Sequence, residues 1–535
     1  MLSRVNLFGN IKKSQLLWVI ILVIPALYLN LGLLPLKGDE AIRAVVTLEM
    51  MLSGDYITPT LTGEIYLNKP PLYNWILAGF FKVFDGNSEF LVRLPTTIFL
   101  LIYCFTIFLF VSRHLGKQAG ILSSLVFLTC GRVFFWDSYL GLIDITYSWI
   151  MFLNFMLIWQ YFEKKSYLKL FIFSYFLTAV GFMLKGVPTL AFQVITLLTL
   201  FIYDRRIKVL FQWQHFAGIA LFLGLTSIYY FLYSLKNPEY LDNLFMRLVS
   251  ESTQKSALGS TLEKTFRHLI VFPFEIINHF LPWILLVIVV FHKGVLKRAF
   301  TNRFVAYCAL VFIFNIVIYW FSPTTYPRYL LMLVPLAFIV FLYAAKVHAL
   351  LKTINYKIAQ YLFASILFIL AGLSILLPLI FARQIPVDHL YIKLGILLII
   401  EIIIFTVYFR KRSEAGLFYY LVLILVVCRL SFDMFMMPYR ESKDWLSQCR
   451  SDAIMLGQKT RGEKMYYMAD TITIHNVYYL TRERNEILKY NDKVISGPYY
   501  ILDNKGVADF KAEFSMRTPY HYSTYYAGKF RTKKP

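Results

Sequence analysis

Apolar residues in this chain gather into long blocks rather than alternating with polar ones. Runs long enough to cross a bilayer as helices lie at roughly 15–34, 94–112, 119–136, 142–162, 168–184, 187–203, 215–234, 279–292, 303–321, 328–346, 358–381, 390–409 and 416–437. That makes thirteen predicted spans. The run at 279–292 is short, and only Lys185-Gly186-Val187-Pro188 separates the two runs within 168–203. The first run continues from Leu16 to Leu34 with no small-residue cleavage site after it, so it reads as a span and not as a removable signal.

Three polar stretches break the blocks: 37–93, 235–278 and the tail from 438. In the first, Ile42, Val45, Val46 and Met50 recur at helical spacing behind Asp39-Glu40, and Ser53-Gly54 ends the run. A second helical period runs from Tyr73 to Phe84 after Pro70-Pro71. Both are expected to be amphipathic helices lying on the membrane. In the tail, short apolar runs at Met465–Met468 and Tyr499–Leu502 flank a helical stretch from Ile474 to Leu480, which predicts a small α/β domain. The expected division is a membrane domain over 1–437 and a soluble domain over 438–535.

Composition strengthens the membrane reading. The chain is 535 residues long, 58% hydrophobic and 16% charged, with a mean hydropathy of +0.60. A soluble globular chain carries about 25% charged residues. The 49 Phe and 38 Tyr suit lipid-facing helices with Tyr at their interfaces. The five cysteines have no spacing that reads as a zinc site or a disulfide framework.

A net charge of +23 raises the question of nucleic acid. No stretch pairs basic density with a soluble nucleic-acid fold, so the charge is assigned to topology and anionic headgroups. With the N-terminus placed in the cytoplasm, the inner loops hold 21 Lys and Arg, and the four short outer loops hold only Lys185, Arg328 and Arg383. This bias puts the three long polar stretches outside the membrane. The chain is then expected to be a multi-pass membrane protein with a cytoplasmic N-terminus and an extracytoplasmic tail.

Charges at the outer edge carry the candidate chemistry. Asp39 and Glu40 open a helix, where an acidic pair is also a good cap. Lys69 sits before Pro70-Pro71 at headgroup depth, placed either to snorkel or to hold a lipid phosphate. Asp137 and Asp144 flank a short outer loop, Lys185 interrupts two apolar runs, and Arg328 follows Ser322-Pro323-Thr324-Thr325-Tyr326-Pro327. Ionisable residues in or beside a bilayer are costly and often functional. Carboxylates and cations on one face suit an anionic lipid substrate and a proton transfer.

These residues resemble a known family. Asp39-Glu40, Gly54-Asp55-Tyr56-Ile57-Thr58-Pro59 and Asn68-Lys69-Pro70-Pro71-Leu72 look like the first loop of GT-C glycosyltransferases. The similarity is to the ArnT-like and protein O-mannosyltransferase group. Ile143-Asp144-Ile145, Leu184-Lys185-Gly186 and Tyr326-Pro327-Arg328-Tyr329 also resemble it, as does the layout of about 13 transmembrane helices with an outer tail.

The resemblance implies a bacterial inner (plasma) membrane protein and inverting transfer of a sugar from a polyprenyl-phosphate donor to a lipid, protein or glycan acceptor at the outer face. It implies Asp39 as general base and Glu40 and Asp144 as groups that orient it or the acceptor. Lys69, with Tyr66, Arg328 and Lys185, would bind the donor's lipid phosphate. No nucleotide loop is required, no cofactor is certain, and a divalent metal is possible. Two departures stand out: Asn68 replaces a Glu that usually precedes the Lys-Pro-Pro, and Arg43 stands one place beyond the position of a usual Arg, which Ile42 fills. A direct role for Arg43 is therefore not expected. In the second outer stretch, Glu251 and His268 are candidates to line the site, but solvated loop roles are expected for both.

The rival from another class is a transporter or flippase of lipid-linked glycans. It needs charges along a mid-membrane path, where Glu401 is the main candidate. A non-catalytic membrane scaffold would leave Asp39, Lys69 and Asp144 sharing a face without reason.

Overall fold

The computed structural model describes residues 11–240, 262–292, 294–322, 325–351, 353–411, 416–468, 472–520 and 523–531. Glu251 and the Pro323-Thr324 pair lie outside the described residues. The first part of the chain runs α1 (Lys13–Tyr28), α2 (Asp39–Ser53), β1 (Thr60–Leu61), β2 (Glu64–Ile65), α3 (Leu72–Val83), α4 (Glu89–Leu115), α5 (Lys117–Leu128) and α6 (Gly131–Phe135). It continues through α7 (Ile143–Glu163), α8 (Tyr167–Lys185), α9 (Pro188–Tyr203), α10 (Trp213–Lys236), α11 (Leu262–His279) and α12 (Val295–Ala299). Then come α13 (Arg303–Trp320), α14 (Val334–Leu351), α15 (Ile354–Ile380), α16 (Leu390–Lys411) and α17 (Gly416–Ser431).

Among the described residues eight helices are long and apolar enough to span a membrane, and ten if two bent pairs each count as one span. The chain is thus a multi-pass membrane protein. Each of the thirteen predicted runs falls on helical structure, but the short run at 279–292 does not form a span of its own. It is a 3-10 turn, Trp283–Val289, set at 115° to α11. α1 and α9, each 16 residues, are the two shorter apolar helices.

The small C-terminal unit contains α18 (Met437–Lys443), α19 (Trp445–Lys459), β3 (Met465–Tyr467), α20 (Ile474–Arg484), β4 (Lys489–Tyr490), β5 (Tyr499–Leu502), β6 (Phe510–Arg517) and β7 (Thr524–Phe530). Its five strands order β4-β3-β5-β7-β6. β3 pairs in parallel with β4 and β5, and β7 runs antiparallel to β5 and β6. The expected α/β character is present.

The tail does more than cap the molecule. Ala41, Ala44, Val45 and Leu48 of α2 share one apolar core with Leu456, Val477 and Leu480 of α19 and α20. Buried Tyr479 donates to nothing but Glu89 Oε1 at 3.1 Å while its oxygen accepts from Leu36 N at 3.2 Å, and His475 Nδ1 bonds the Leu36 carbonyl at 2.9 Å. This corrects one expectation. Val45, Val46 and Met50 are almost wholly buried by protein, so α2 does not rest its apolar face on lipid.

A buried polar cluster fixes the segment between α6 and α7. Arg429 is fully buried in α17, pairs with Asp433 at 2.9 Å, and donates to Ser138 Oγ at 3.0 Å and to the Phe134 carbonyl. Tyr139 donates to Asp433 as well. A buried cation is tolerable only when it is paired, and here its Nε and Nη1 bonds tie α17 to the segment that leads into Asp144.

Candidate active site

Five separate segments deliver charged groups to one end of the helical domain. α2 begins at Gly38, whose φ of 51° suits a residue without a side chain, and puts Asp39 in its first turn. It ends at Gly54 in the left-handed conformation, the usual helix stop. The β1–β2 hairpin then turns the chain back. Glu49 of α2 holds it, accepting from Thr60 Oγ1 at 2.7 Å, Thr62 N at 2.7 Å and Gly63 N at 3.1 Å. Burial pushes the Glu49 carboxyl above its ordinary range despite those three donors. The hairpin exit carries Tyr66, Asn68 and Lys69 past α2.

Asp144 lies in the first turn of α7, Lys185 is the last residue of α8, and Arg328 and Tyr329 belong to the 3-10 turn Pro327–Met332 before α14. These groups form one chain of ion pairs. Lys185 Nζ contacts Asp144 Oδ1 at 2.5 Å, Arg328 Nε stands 3.4 Å from Asp144 Oδ2, and Arg328 Nη2 reaches Asp39 Oδ2 at 2.7 Å. Tyr329 stacks against both cations, 4.1 Å from Lys185 Nζ and 5.7 Å from the Arg328 guanidinium. The Asp39 side chain is 60% exposed, whereas that of Asp144 is 9% exposed. Asp39 is therefore the carboxylate open to a substrate.

The cavity these groups line measures about 170 Å³. Asp39, Asp144, Tyr66, Lys69, Lys185 and Arg328 all border it, so six of the seven residues expected at the site come together. Glu40 does not. It is fully buried on the other side of α2, and its carboxylate accepts from Arg93 Nε at 3.2 Å, Arg93 Nη2 at 2.9 Å, Lys37 N at 2.8 Å and Gly141 N at 2.9 Å. A carboxylate so occupied cannot touch an acceptor; it pins the start of α2 to α4 and to the segment before Asp144. Asp137 is likewise taken by Arg132 at 3.0 Å, and His268 bonds the Trp320 carbonyl.

Sequence reasoning passed over Arg43 and Tyr329, both of which border the cavity. Arg43 follows Asp39 by four residues, the spacing that puts two side chains on one helix face. That periodicity was the available signal. A divalent metal does not fit the residues present. Asn68 stands where a Glu is usual, lysine and arginine occupy the two carboxylates, and no group of three or more His, Cys, Asp or Glu among the described residues is placed to hold an ion.

A helical membrane domain with an acidic first loop, a cation-rich cavity at one end and a strand-containing tail is similar in fold to solved ArnT structures. Residues 68–230 match the family model of dolichyl-phosphate-mannose-protein mannosyltransferases. The fold matches ArnT from Cupriavidus metallidurans bound to undecaprenyl phosphate, with a TM-score of 0.69 at 15% identity over 96% of this chain and 98% of that one. The apo form of that ArnT gives a TM-score of 0.67.

In sequence, the chain is 30% identical over 216 residues to an undecaprenyl phosphate-alpha-4-amino-4-deoxy-L-arabinose arabinosyl transferase of Edwardsiella ictaluri. It is 25% identical over 232 residues to an uncharacterized protein of Aquifex aeolicus. The aligned stretches cover 38% and 43% of this chain and span 38% and 46% of those relatives, less than half of each.

Proposed function

We propose that this protein transfers a sugar from a polyprenyl-phosphate carrier to an acceptor hydroxyl with inversion at the anomeric carbon, and that the cavity faces the extracytoplasmic side while the N-terminus is cytoplasmic. The observation that carries this reading is the charge inventory of the cavity. Among the described residues two carboxylates, Asp39 and Asp144, face four cations, Arg43, Lys69, Lys185 and Arg328. The excess of two positive charges suits a phosphate that departs as a dianion. The names of the relatives support undecaprenyl phosphate as the carrier class, and a lipid, a protein or a glycan satisfies the acceptor chemistry.

In the transfer, an acceptor oxygen attacks the anomeric carbon as its proton passes to Asp39. The bond from that carbon to the phosphate oxygen breaks, and its electron pair leaves on the polyprenyl phosphate. Arg328 holds Oδ2 of Asp39, which orients the carboxylate and leaves its second oxygen to take the proton. Lys69, Tyr66 and Arg328 stabilise the growing phosphate charge, an interaction stronger in the transition state than before it. Asp144 keeps Lys185 and Arg328 in place.

The rival translocation reading has less support. The charged groups collect at one end of the helices rather than along a path. Glu401, the mid-membrane carboxylate, is 5% exposed and takes a hydrogen bond from Ser374, which packs it between helices instead of lining a channel.

The test is transfer from a defined polyprenyl-phosphate sugar by purified protein in liposomes. Asp39→Asn is expected to lose about 10²- to 10⁴-fold in rate, the range for removal of a general base, while still binding polyprenyl phosphate. Full activity in Asp39→Asn removes the base assignment. Glycan translocation without transfer would support the flippase.

A further inference from the structure

Arg43 is the cavity cation that the transfer chemistry above leaves unassigned. It is 5% exposed, and its hydrogen-bond partners are neutral: Nη2 donates to the Tyr66 hydroxyl at 2.5 Å and Nη1 to Asn74 Oδ1 at 3.3 Å. Among the described residues no carboxylate comes within 4.0 Å of it. A guanidinium that stays charged, sits almost out of water and has no anion beside it is costly, and such a cost is offset when an anion enters the space it borders.

The surrounding bonds leave the group little freedom. Asn74 Nδ2 donates to the Arg43 carbonyl at 3.0 Å and to Thr47 Oγ1 at 3.0 Å, so its amide is oriented and its oxygen faces Arg43. The guanidinium lies 5.1 Å from the centre of the Tyr66 ring, which adds a cation–π contact to the hydrogen bond. Arg43 thus grips Tyr66 and is itself held by α3.

A guanidinium has donors only. The Tyr66 oxygen must therefore act as acceptor toward Arg43, and its own hydrogen is aimed elsewhere. We infer that Arg43 is a positioning residue for donor recognition: it fixes Tyr66 as a hydrogen-bond donor toward the lipid phosphate and strengthens that donor by placing a positive charge on its oxygen. This rests on the polyprenyl-phosphate reading and deepens it. Because the phosphate gains charge as the sugar leaves, the Tyr66 bond strengthens in the transition state, and Arg43 acts on turnover as well as on binding.

The experiment is a double-mutant cycle on the full-length protein in detergent, reading the Kd for undecaprenyl phosphate, kcat and KM for transfer, and the thermal midpoint. Tyr66→Phe alone is expected to weaken binding about 10- to 100-fold, the loss of one hydrogen bond to a charged group. Arg43→Gln alone is expected to cost a similar factor, with kcat falling by more than KM rises. Adding Arg43→Gln to Tyr66→Phe is expected to cost about 3-fold or less, because the route through Tyr66 is already gone. Arg43→Lys, which keeps the charge but not the fork, is expected to fall between wild type and Arg43→Gln and serves if the glutamine variant does not fold.

Multiplicative losses in the double variant overturn the inference, as does wild-type binding in Arg43→Gln. A wild-type protein that fails to bind undecaprenyl phosphate overturns the donor reading itself.

Discussion

Glu40 is the sequence-nominated acid that the structure removes from the chemistry, and substituting it separates positioning from catalysis. Its side chain is 0% exposed and that of its partner Arg93 3%. Besides Glu40, the guanidinium donates to the carbonyls of Leu31 and Leu34 at 2.9 and 2.8 Å, and of Pro35 at 3.1 Å. Glu40→Ala leaves Arg93 buried beside carbonyl dipoles and removes the carboxylate in contact with it. Breaking a buried ion pair in this way costs about 3–5 kcal/mol. Glu40→Gln keeps the shape but presents an amide group to at least one of four donors, so its cost falls at the low end of that range or below it. The double variant Glu40→Leu with Arg93→Met removes both charges and should recover part of the loss, since the desolvation of both ions is then avoided. Thermal unfolding in detergent reads these effects. Transfer activity should fall in parallel with stability, because the Glu40 contact to Gly141 N sets where Asp144 stands. A Glu40→Gln protein with a wild-type thermal midpoint and no transfer would refute this reasoning and return Glu40 to the reacting groups.

Other substitutions test neighbouring steps. Asp144→Asn strips the charge that faces Lys185 and Arg328; transfer is expected to fall at least about tenfold with no loss of polyprenyl-phosphate affinity, measured by binding and initial rates on one preparation. Burial lowers the His475 pKa below its ordinary value, and Arg450 nearby acts in the same direction. Its neutral form then supports the fold: this stability is complete above about pH 6.5 and is lost as pH falls toward the lowered folded value, because the unfolded chain takes up the proton first. The thermal midpoint of wild type is expected to drop between pH 7 and 5.5, and that of His475→Gln to drop less; equal slopes would contradict the role given to the burial of His475. At Gly141 a Cβ would lie 2.6 Å from Val92 Cγ1 and 2.7 Å from the Val92 carbonyl oxygen. Gly141→Ala should therefore cost about 1–3 kcal/mol by overpacking, read as a lowered unfolding midpoint together with reduced transfer.

The spans were legible because a bilayer imposes length and apolarity on each of them separately. The run at 279–292 was too short for that rule, and there the chain folds as a bent 3-10 turn. Asp39, Lys69, Asp144, Lys185 and Arg328 were legible as ions placed where apolar residues cost less. The surroundings of α2 were not. Its apolar periodicity is the same whether the covering layer is lipid or the tail's own helices, and only the tertiary fold decides between them. Glu40 was misread for a related reason. Two adjacent helix residues point about 100° apart, so Asp39 and Glu40 face different neighbours. Nothing local announces that Arg93, 53 positions further on, occupies the second.

The arrangement of signs explains how a cavity this rich in charge is stable before substrate arrives. Asp144 sits at the first turn of α7 and Lys185 at the last turn of α8, so each carries the charge that its helix end favours. Arg328 bridges Asp144 and Asp39 through separate nitrogens, a geometry open to a guanidinium fork and closed to a point charge such as lysine. In the proposed transfer, Asp39 loses its charge as it takes the acceptor's proton, while the phosphate gains one as the sugar leaves. The two changes belong to one step. Arg328, bonded to the first anion, is released toward the second as it forms, so the positive charge that steadies the base becomes available to the leaving group when it is needed.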